Sequence, residues 1–391
     1  MRTSLLLVLS TLLLIGITTH AQDVDYEGDV TDVRVIRRVE SHPDAWRVWQ
    51  PTIAHWKKKR LIVAFGAMTH GKKDMGDIFV TLSKNDGDTW SEPVAIFDHN
   101  RRQGAIQFAY GNPVLFKPPG QDVIWCFAMR CPITYSNSED SELAGAFSAD
   151  GGITWTPVEL AVHYAGPLIL NAGVQPTRIN GQARYLLPAH RNSLQKDPFG
   201  SREHFIISST SLLEWKLESF IPQPVSGKVF LHEGNIAPWG DAGDLKIVMR
   251  SANYEDTSLT TDPPRAYSSI SRDGGHTWTP ARAEPELHNA KSKNYFGRSA
   301  NGTHIYVYND GPAQRTIAPG FPHGGRTSLR YKIRPADGKW SAEKTFYHAG
   351  IKNSYPTLVE VAPGDFRAVW DSGTAERART HIHFGKLRIA P

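Results

Sequence analysis

Short runs rich in β-branched and aromatic residues recur along the whole chain. They include RLIVAFGA (Arg60–Ala67), DIFVTLS (Asp77–Ser83), QDVIWCFAM (Gln121–Met129), ARYLLPA (Ala183–Ala189) and HFIISS (His204–Ser209). The pattern continues in LKIVMRS (Leu245–Ser251), THIYVYN (Thr303–Asn309), SLRYKIR (Ser328–Arg334), FRAVW (Phe366–Trp370) and HIHFGKLRI (His381–Ile389). Turn-forming residues bound each run, which is the signature of strands. No long segment carries a clean helical period. The pattern therefore predicts an all-β fold.

Superimposed on the strands is a repeat. SKNDGDTW (Ser83–Trp90), SADGGITW (Ser148–Trp155) and SRDGGHTW (Ser271–Trp278) follow one template, Ser-x-Asp-x-Gly-x-Thr-Trp. Weaker echoes end at Trp215 (SSTSLLEW) and Trp340 (PADGKW). Asp-Gly and Gly-Gly accept positive φ and mark hairpins. Ser and Asp oxygens can bind the turn's own N–H groups, and the Trp can pin the hairpin to its neighbours. The five Trp residues stand about 60 to 65 residues apart, and a fixed period of that length signals a repeat architecture. Four strands per block is one blade of a β-propeller. The length accommodates six blades of four antiparallel strands, and a propeller ligand site lies on the central axis, assembled from several blades. A β-sandwich would explain the strands but not the repeat.

Composition changes this picture little. Arg2 followed by LLLVLSTLLLIGI (Leu5–Ile17) and THA reads as a signal peptide, residues 1–21, cut after Ala21. The expected mature chain, 22–391, is then a single exported propeller domain with no membrane association. The formal charge of +5 favours an anionic ligand mildly, and no basic cluster with interleaved aromatics points to nucleic acid. KKKR (Lys57–Arg60) reads as a solvated turn. Cys126 and Cys131 fall on opposite faces of an extended strand, so a bridge would require a bend.

The octapeptide resembles the Asp box of the sialidase (neuraminidase) superfamily, whose members are six-bladed propellers. The resemblance extends from about Val33 to Ile389. It implies a site built from residues matching the family's catalytic set in order. Arg47, in WRVWQP, resembles a stretched form of the family's Phe-Arg-Ile-Pro arginine. Asp74, in KKDMGDIF, resembles the general acid, with Asp77 heading the next strand. Met68 stands where relatives often carry a further Arg. HEGNIAPWGDAGDLKIVMRS supplies Glu233 and Arg250 on two strands joined through Trp239–Asp244. Arg326, in GGRTSLRYKIR, resembles the third arginine, with Arg298 competing. Tyr355, in KNSYPTLVE, resembles the nucleophile.

The resemblance thus implies a retaining exo-α-sialidase. Arg47, Arg250 and Arg326 would hold a sugar carboxylate, since guanidiniums match carboxylates bidentately. Asp74 would protonate the leaving group, and Glu233 would take the Tyr355 proton. No metal or cofactor is implied, and the partner is an acidic glycan. Two other readings stay open. One is an enzyme, hydrolase or lyase, acting on another acidic sugar such as a uronate, in which His70, His232 or His323 could assist. The other is a glycan-binding propeller without turnover.

Overall fold

The computed structural model describes residues 26–389, apart from 43–44, 70–74, 101, 104–105, 134–140, 165–166, 171–172, 180, 193–201, 224–229, 241–242, 253–264, 290–291, 310–325, 337, 350–351 and 375–378. The expected signal peptide, Asp74, His70 and His323 lie outside the described residues. Among those that are described, no helix is long and apolar enough to cross a membrane.

Six antiparallel sheets surround one axis. Blade one consists of Arg47–His55, Leu61–Met68, Asp77–Ser83 and Val94–Phe97, counted from the axis outwards. Blade two runs from Ile106–Phe116 through Ile124–Pro132 and Glu142–Ser148 to Thr156–Val158. Blade three, centred on Gln182–Asn192 and Arg202–Ser209, adds a parallel edge strand, Ala161–His163, beside Glu214–Phe220. Blade four contains Phe230–Trp239, Asp244–Ala252, Arg265–Ser271 and Arg282–His288. Blade five contains Tyr295–Arg298, His304–Asn309, Ser328–Arg334 and Lys344–His348. Blade six takes Asn353–Ala362, Asp365–Ser372 and His381–Arg388 from the C-terminal part. Its outer strand, Thr31–Arg38, comes from the N-terminal part. That pairing closes the ring and covers the outer edge of His381–Arg388.

The cores lie between blades. Ile62 packs with Ile124 across the first seam and Leu187 with Phe127 across the second. Leu186 and Ile247 share the third, Val248 and Tyr306 the fourth, Phe346 and Trp370 the fifth, Phe65 and Phe384 the sixth. Each repeat turn locks one of these seams. In the second copy Gly152 N donates to Ser148 Oγ (2.7 Å), Thr154 N to Asp150 Oδ1 (3.0 Å), and Trp155 Nε1 to Gly152 O (3.0 Å). Gly87 and Gly152 have φ of 92° and 90°, and a side chain there would collide with Phe384 or Leu82 of the preceding blade. Glycine is thus demanded both by conformation and by close approach.

The first copy departs from the template by Asn85, yet Asn85 Oδ1 still accepts from Thr89 N (2.9 Å). Its amide donates to Thr89 Oγ1 (3.0 Å), reversing the hydrogen bond that Asp150 accepts from Thr154. The next residue, Asp86, receives Arg367 Nε and Nη2 of blade six, each at 2.7 Å. This turn therefore fastens the seam where the ring closes.

Cys126 and Cys131 share the strand Ile124–Pro132, are both buried and form no disulfide. An axial channel of about 350 Å³ touches all six blades, through residues such as Thr52, Leu115, Gly173, Asn235, Tyr295 and Thr357.

Candidate active site

The innermost strands of four blades carry the same defect. Their pairing slips between Trp49 and Thr52, Gly111 and Val114, His232 and Asn235, and Ser354 and Thr357. Inside each bulge a non-glycine residue adopts the left-handed region: Gln50 (φ 50°), Asn112 (φ 51°), Glu233 (φ 39°) and Tyr355 (φ 56°). Pro51, Pro113, Gly234 or Pro356 follows. Proline cannot donate to a ladder, so it belongs at a bulge, and bulges re-aim side chains. Three of the four bulges, at Gln50, Asn112 and Tyr355, are tied together. Asn112 N donates to Gln50 Oε1 (2.9 Å), Gln50 N to Asp371 Oδ2 (3.4 Å), and Trp49 packs edge-on to Tyr355 (centroids 5.9 Å).

Strand register fixes which end of the axis this is. Arg47 pairs with Met68 and Ala67 with Asp77 at one pole, while His55 pairs with Leu61 and Leu61 with Ser83 at the other. The repeat turns sit at the second pole, and the bulge residues are reached from the first.

Glu233, Arg250, Arg326 and Tyr355 come together at the first pole. Arg250 Nη1 donates to Glu233 Oε2 at 2.7 Å. Burial alone would raise the Glu233 carboxyl, but Arg250, then Lys293 and Arg326, outweigh it and hold the group below its ordinary range. The Tyr355 phenol is pushed up by burial and by the Glu233 charge, while Arg326, Arg379 and Arg250 oppose the rise. No direct hydrogen bond joins Tyr355 to Glu233 among the described residues, so their coupling is through space. Arg326 is buried, with its guanidinium carbon 5.6 Å from the Tyr355 ring centroid. Its carbonyl accepts from Asn353 N (2.6 Å), fixing it against the strand that carries Tyr355.

The other expected residues make different contacts. Arg298, the competitor of Arg326, donates to Gly240 O (3.0 Å) and Gly302 O (3.3 Å) at the repeat-turn pole. The Arg47 guanidinium lies over Trp46 at 4.2 Å and beside Lys352, whose ammonium burial and then Arg47 push down to about 8. Asp77 heads its strand as expected, and its carboxylate receives both His99 N (2.5 Å) and the His99 ring (2.7 Å). Met68 is buried with Trp49 and Tyr355, so the residue in place of an arginine forms an apolar wall.

Four participants were not anticipated. Trp49 floors the site. Lys293 and Asp371 are buried beside it: Lys293 interacts with Glu233 and Asp371, and Asp371 with Arg379 and Arg326. Arg379 lies 4.5 Å from the Trp49 centroid and 5.3 Å from that of Tyr355. Among the described residues the cluster therefore sets four cations, Arg250, Arg326, Arg379 and Lys293, against two carboxylates, Glu233 and Asp371. An excess of buried positive charge is a site for an anion. One sequence signal could have found part of this: Gln50-Pro51, Asn112-Pro113, Gln175-Pro176, Glu233-Gly234 and Tyr355-Pro356 form a second repeat, with the same period of about 60 residues.

A family model described as a BNR repeat-like domain matches residues 58–368. No curated protein matches the chain in sequence. Among solved structures, a protein of unknown function from Dyadobacter fermentans superposes with a TM-score of 0.64 at 17% identity, over 92% of this chain and 99% of that one. The Hadza microbial sialidase Hz136 gives 0.69 at 15% identity, covering 91% of this chain and 68% of its own. The NanB sialidase of Streptococcus pneumoniae gives 0.63 at 11%, covering 96% and 71%. At these identities the likeness establishes the fold, while the family match spans most of the sequence. The chain belongs to the BNR repeat-like domain family and has the six-bladed propeller fold of the sialidases on which it superposes.

Proposed function

We propose that the protein is an exo-α-sialidase-type glycoside hydrolase of the retaining kind, exported by its leader, that removes a terminal carboxylate-bearing sugar from glycans. One arrangement supports this reading: a buried phenol, Tyr355, whose strongest electrostatic partners are the Glu233 carboxylate and the guanidiniums of Arg326, Arg379 and Arg250. The cations attract an acidic sugar and favour the phenolate. A neutral tyrosine, unlike a carboxylate nucleophile, does not repel the substrate's own carboxylate.

In the proposed cycle Arg250 and Arg326 hold the sugar carboxylate. The Tyr355 oxygen bonds to the anomeric carbon as its proton passes towards Glu233, which Arg250 keeps ionised and so able to accept. The bond to the leaving oxygen breaks, and Asp74 protonates that oxygen. Water then attacks the anomeric carbon, giving its proton to Asp74, and Tyr355 departs and regains its own. This is the tyrosine variant of the two-carboxylate scheme.

A lyase acting on a uronate would pair the tyrosine with a histidine or an arginine. His232 packs on His190 (centroids 5.2 Å) in the seam between blades three and four, whereas Arg326 and Arg379 lie beside Tyr355, so the ultraviolet absorbance of an unsaturated product is what separates a lyase from a hydrolase. The purified protein should release sialic acid from a fluorogenic α-sialoside, and Tyr355→Phe should cut the rate by about a thousandfold or more. Wild-type protein inert on α-linked sialic acid and on its deaminated analogue would sink the assignment. Binding without turnover would favour a glycan-binding propeller.

A further inference from the structure

We propose that Arg379, delivered by blade six, grips the substrate carboxylate together with Arg326 and Arg250, in the role that sequence resemblance assigns to Arg47. The inference rests on the reading above only in taking the ligand to be a sugar carboxylate.

Three observations carry it. The first is position. The Arg379 guanidinium lies against two rings of the site, 4.5 Å from the Trp49 centroid and 5.3 Å from that of Tyr355. Arg326 is 5.6 Å from the same Tyr355 ring, so two guanidiniums flank the proposed nucleophile. Arg47 lies over Trp46 instead, outside the strongest partners of Tyr355. A guanidinium held by its face keeps its N–H donors in its plane, the arrangement that a carboxylate meets bidentately.

The second is how the residue is held. Arg379 has φ 62°, a conformation that costs a side-chain-bearing residue free energy and persists only where the surroundings enforce it. Here the enforcement is visible. Arg379 O accepts from Val48 N (2.9 Å) of blade one, and Thr380 N donates to Ser372 O (2.8 Å) of its own blade. The closing seam of the ring thus places this arginine at the axis. Gln50, Glu233 and Tyr355 are strained in the same sense at the same site.

The third is the occupied space. In the family's Phe-Arg-Ile-Pro motif the arginine stands two residues before the proline, and two residues before Pro51 is Trp49. Trp49 thus stands at that arginine's place in the sequence, and it is on the Trp49 indole that Arg379 lies.

The test compares Arg379→Gln, Arg379→Lys and Arg47→Ala with wild type. Isothermal titration measures N-acetylneuraminic acid and glucuronic acid, and the fluorogenic α-sialoside gives kcat and KM. Arg379→Gln should weaken sugar-acid binding by about tenfold to a hundredfold, the worth of a charge-assisted pair. The loss should appear mainly in KM. Arg379→Lys keeps the charge but not the fork and should recover part of it, and thermal melting checks that each variant is folded. Arg47→Ala should lose less than either. Arg379→Gln within twofold of wild type, or Arg47→Ala losing more, overturns the proposal. Glucuronate bound in preference, with the same dependence on Arg379, would sink the sialidase reading and leave this one standing. A wild type that binds neither acid overturns both.

Discussion

Glu233→Gln tests the electrostatic account of the site most directly. The substitution preserves size and removes one negative charge from a cluster in which cations already exceed carboxylates. Glu233 is 8% exposed, and its Oε2 receives Arg250 Nη1 at 2.7 Å. Lys293, also buried, loses one of its two compensating charges and keeps Asp371. Removing one partner of a buried ion pair costs about 3–5 kcal/mol because the other is left without its counter-charge. A glutamine carbonyl can still accept one hydrogen bond from Arg250, so the expected loss is at the lower end, about 3 kcal/mol. The assay is urea denaturation followed by tryptophan fluorescence, on both proteins, from pH 8 down to pH 4. The folded carboxyl of Glu233 sits below its ordinary value of 4.5. The stabilisation from its ionised form is therefore fully present above that value and is lost as pH falls through the folded one. The gap between wild type and variant should be flat from neutral pH down to about pH 5.5 and narrow below about pH 4.5. Equal midpoints at pH 7, or a gap that widens on acidification, would refute the reasoning.

Asp86→Asn keeps a residue tolerant of left-handed backbone but removes the charge that clasps Arg367 and Lys386. It should cost about 2 kcal/mol in chemical denaturation, and a change under about 0.5 kcal/mol would show that the clasp does not hold the closing seam. Asn85→Asp should change stability by less than about 0.5 kcal/mol, because Thr89 can reverse its hydroxyl as Thr154 and Thr277 do; a larger shift in melting would show that the two turns are not equivalent. Dithiothreitol should leave the melting temperature unmoved, since Cys126 and Cys131 form no disulfide, and a fall on reduction would reveal a bridge.

The repeat turn was legible because its chemistry is local. Ser, Asp, Gly and Trp within eight letters satisfy one another's hydrogen bonds, and their spacing numbers the blades. Resemblance then nominated Glu233, Arg250, Arg326 and Tyr355, whose convergence depends only on blade order. Arg379 escaped because no local pattern marks it. It precedes the strand His381–Arg388, and it reaches the axis only because blade six closes against blade one, an event set by the pairing of Thr31–Arg38 with that strand. Arg47 is the candidate that the sequence itself offers for that role. It lies near the expected motif in sequence, but counting from Pro51 places the bulge at Gln50, and the bulge decides which side chains face the axis. The proline and glycine after each bulge residue were the better guide. They mark where the inner ladder must break, and the breaks at Gln50, Asn112, Glu233 and Tyr355 are what let a glutamate and a tyrosine more than a hundred residues apart act on each other at one end of the axis.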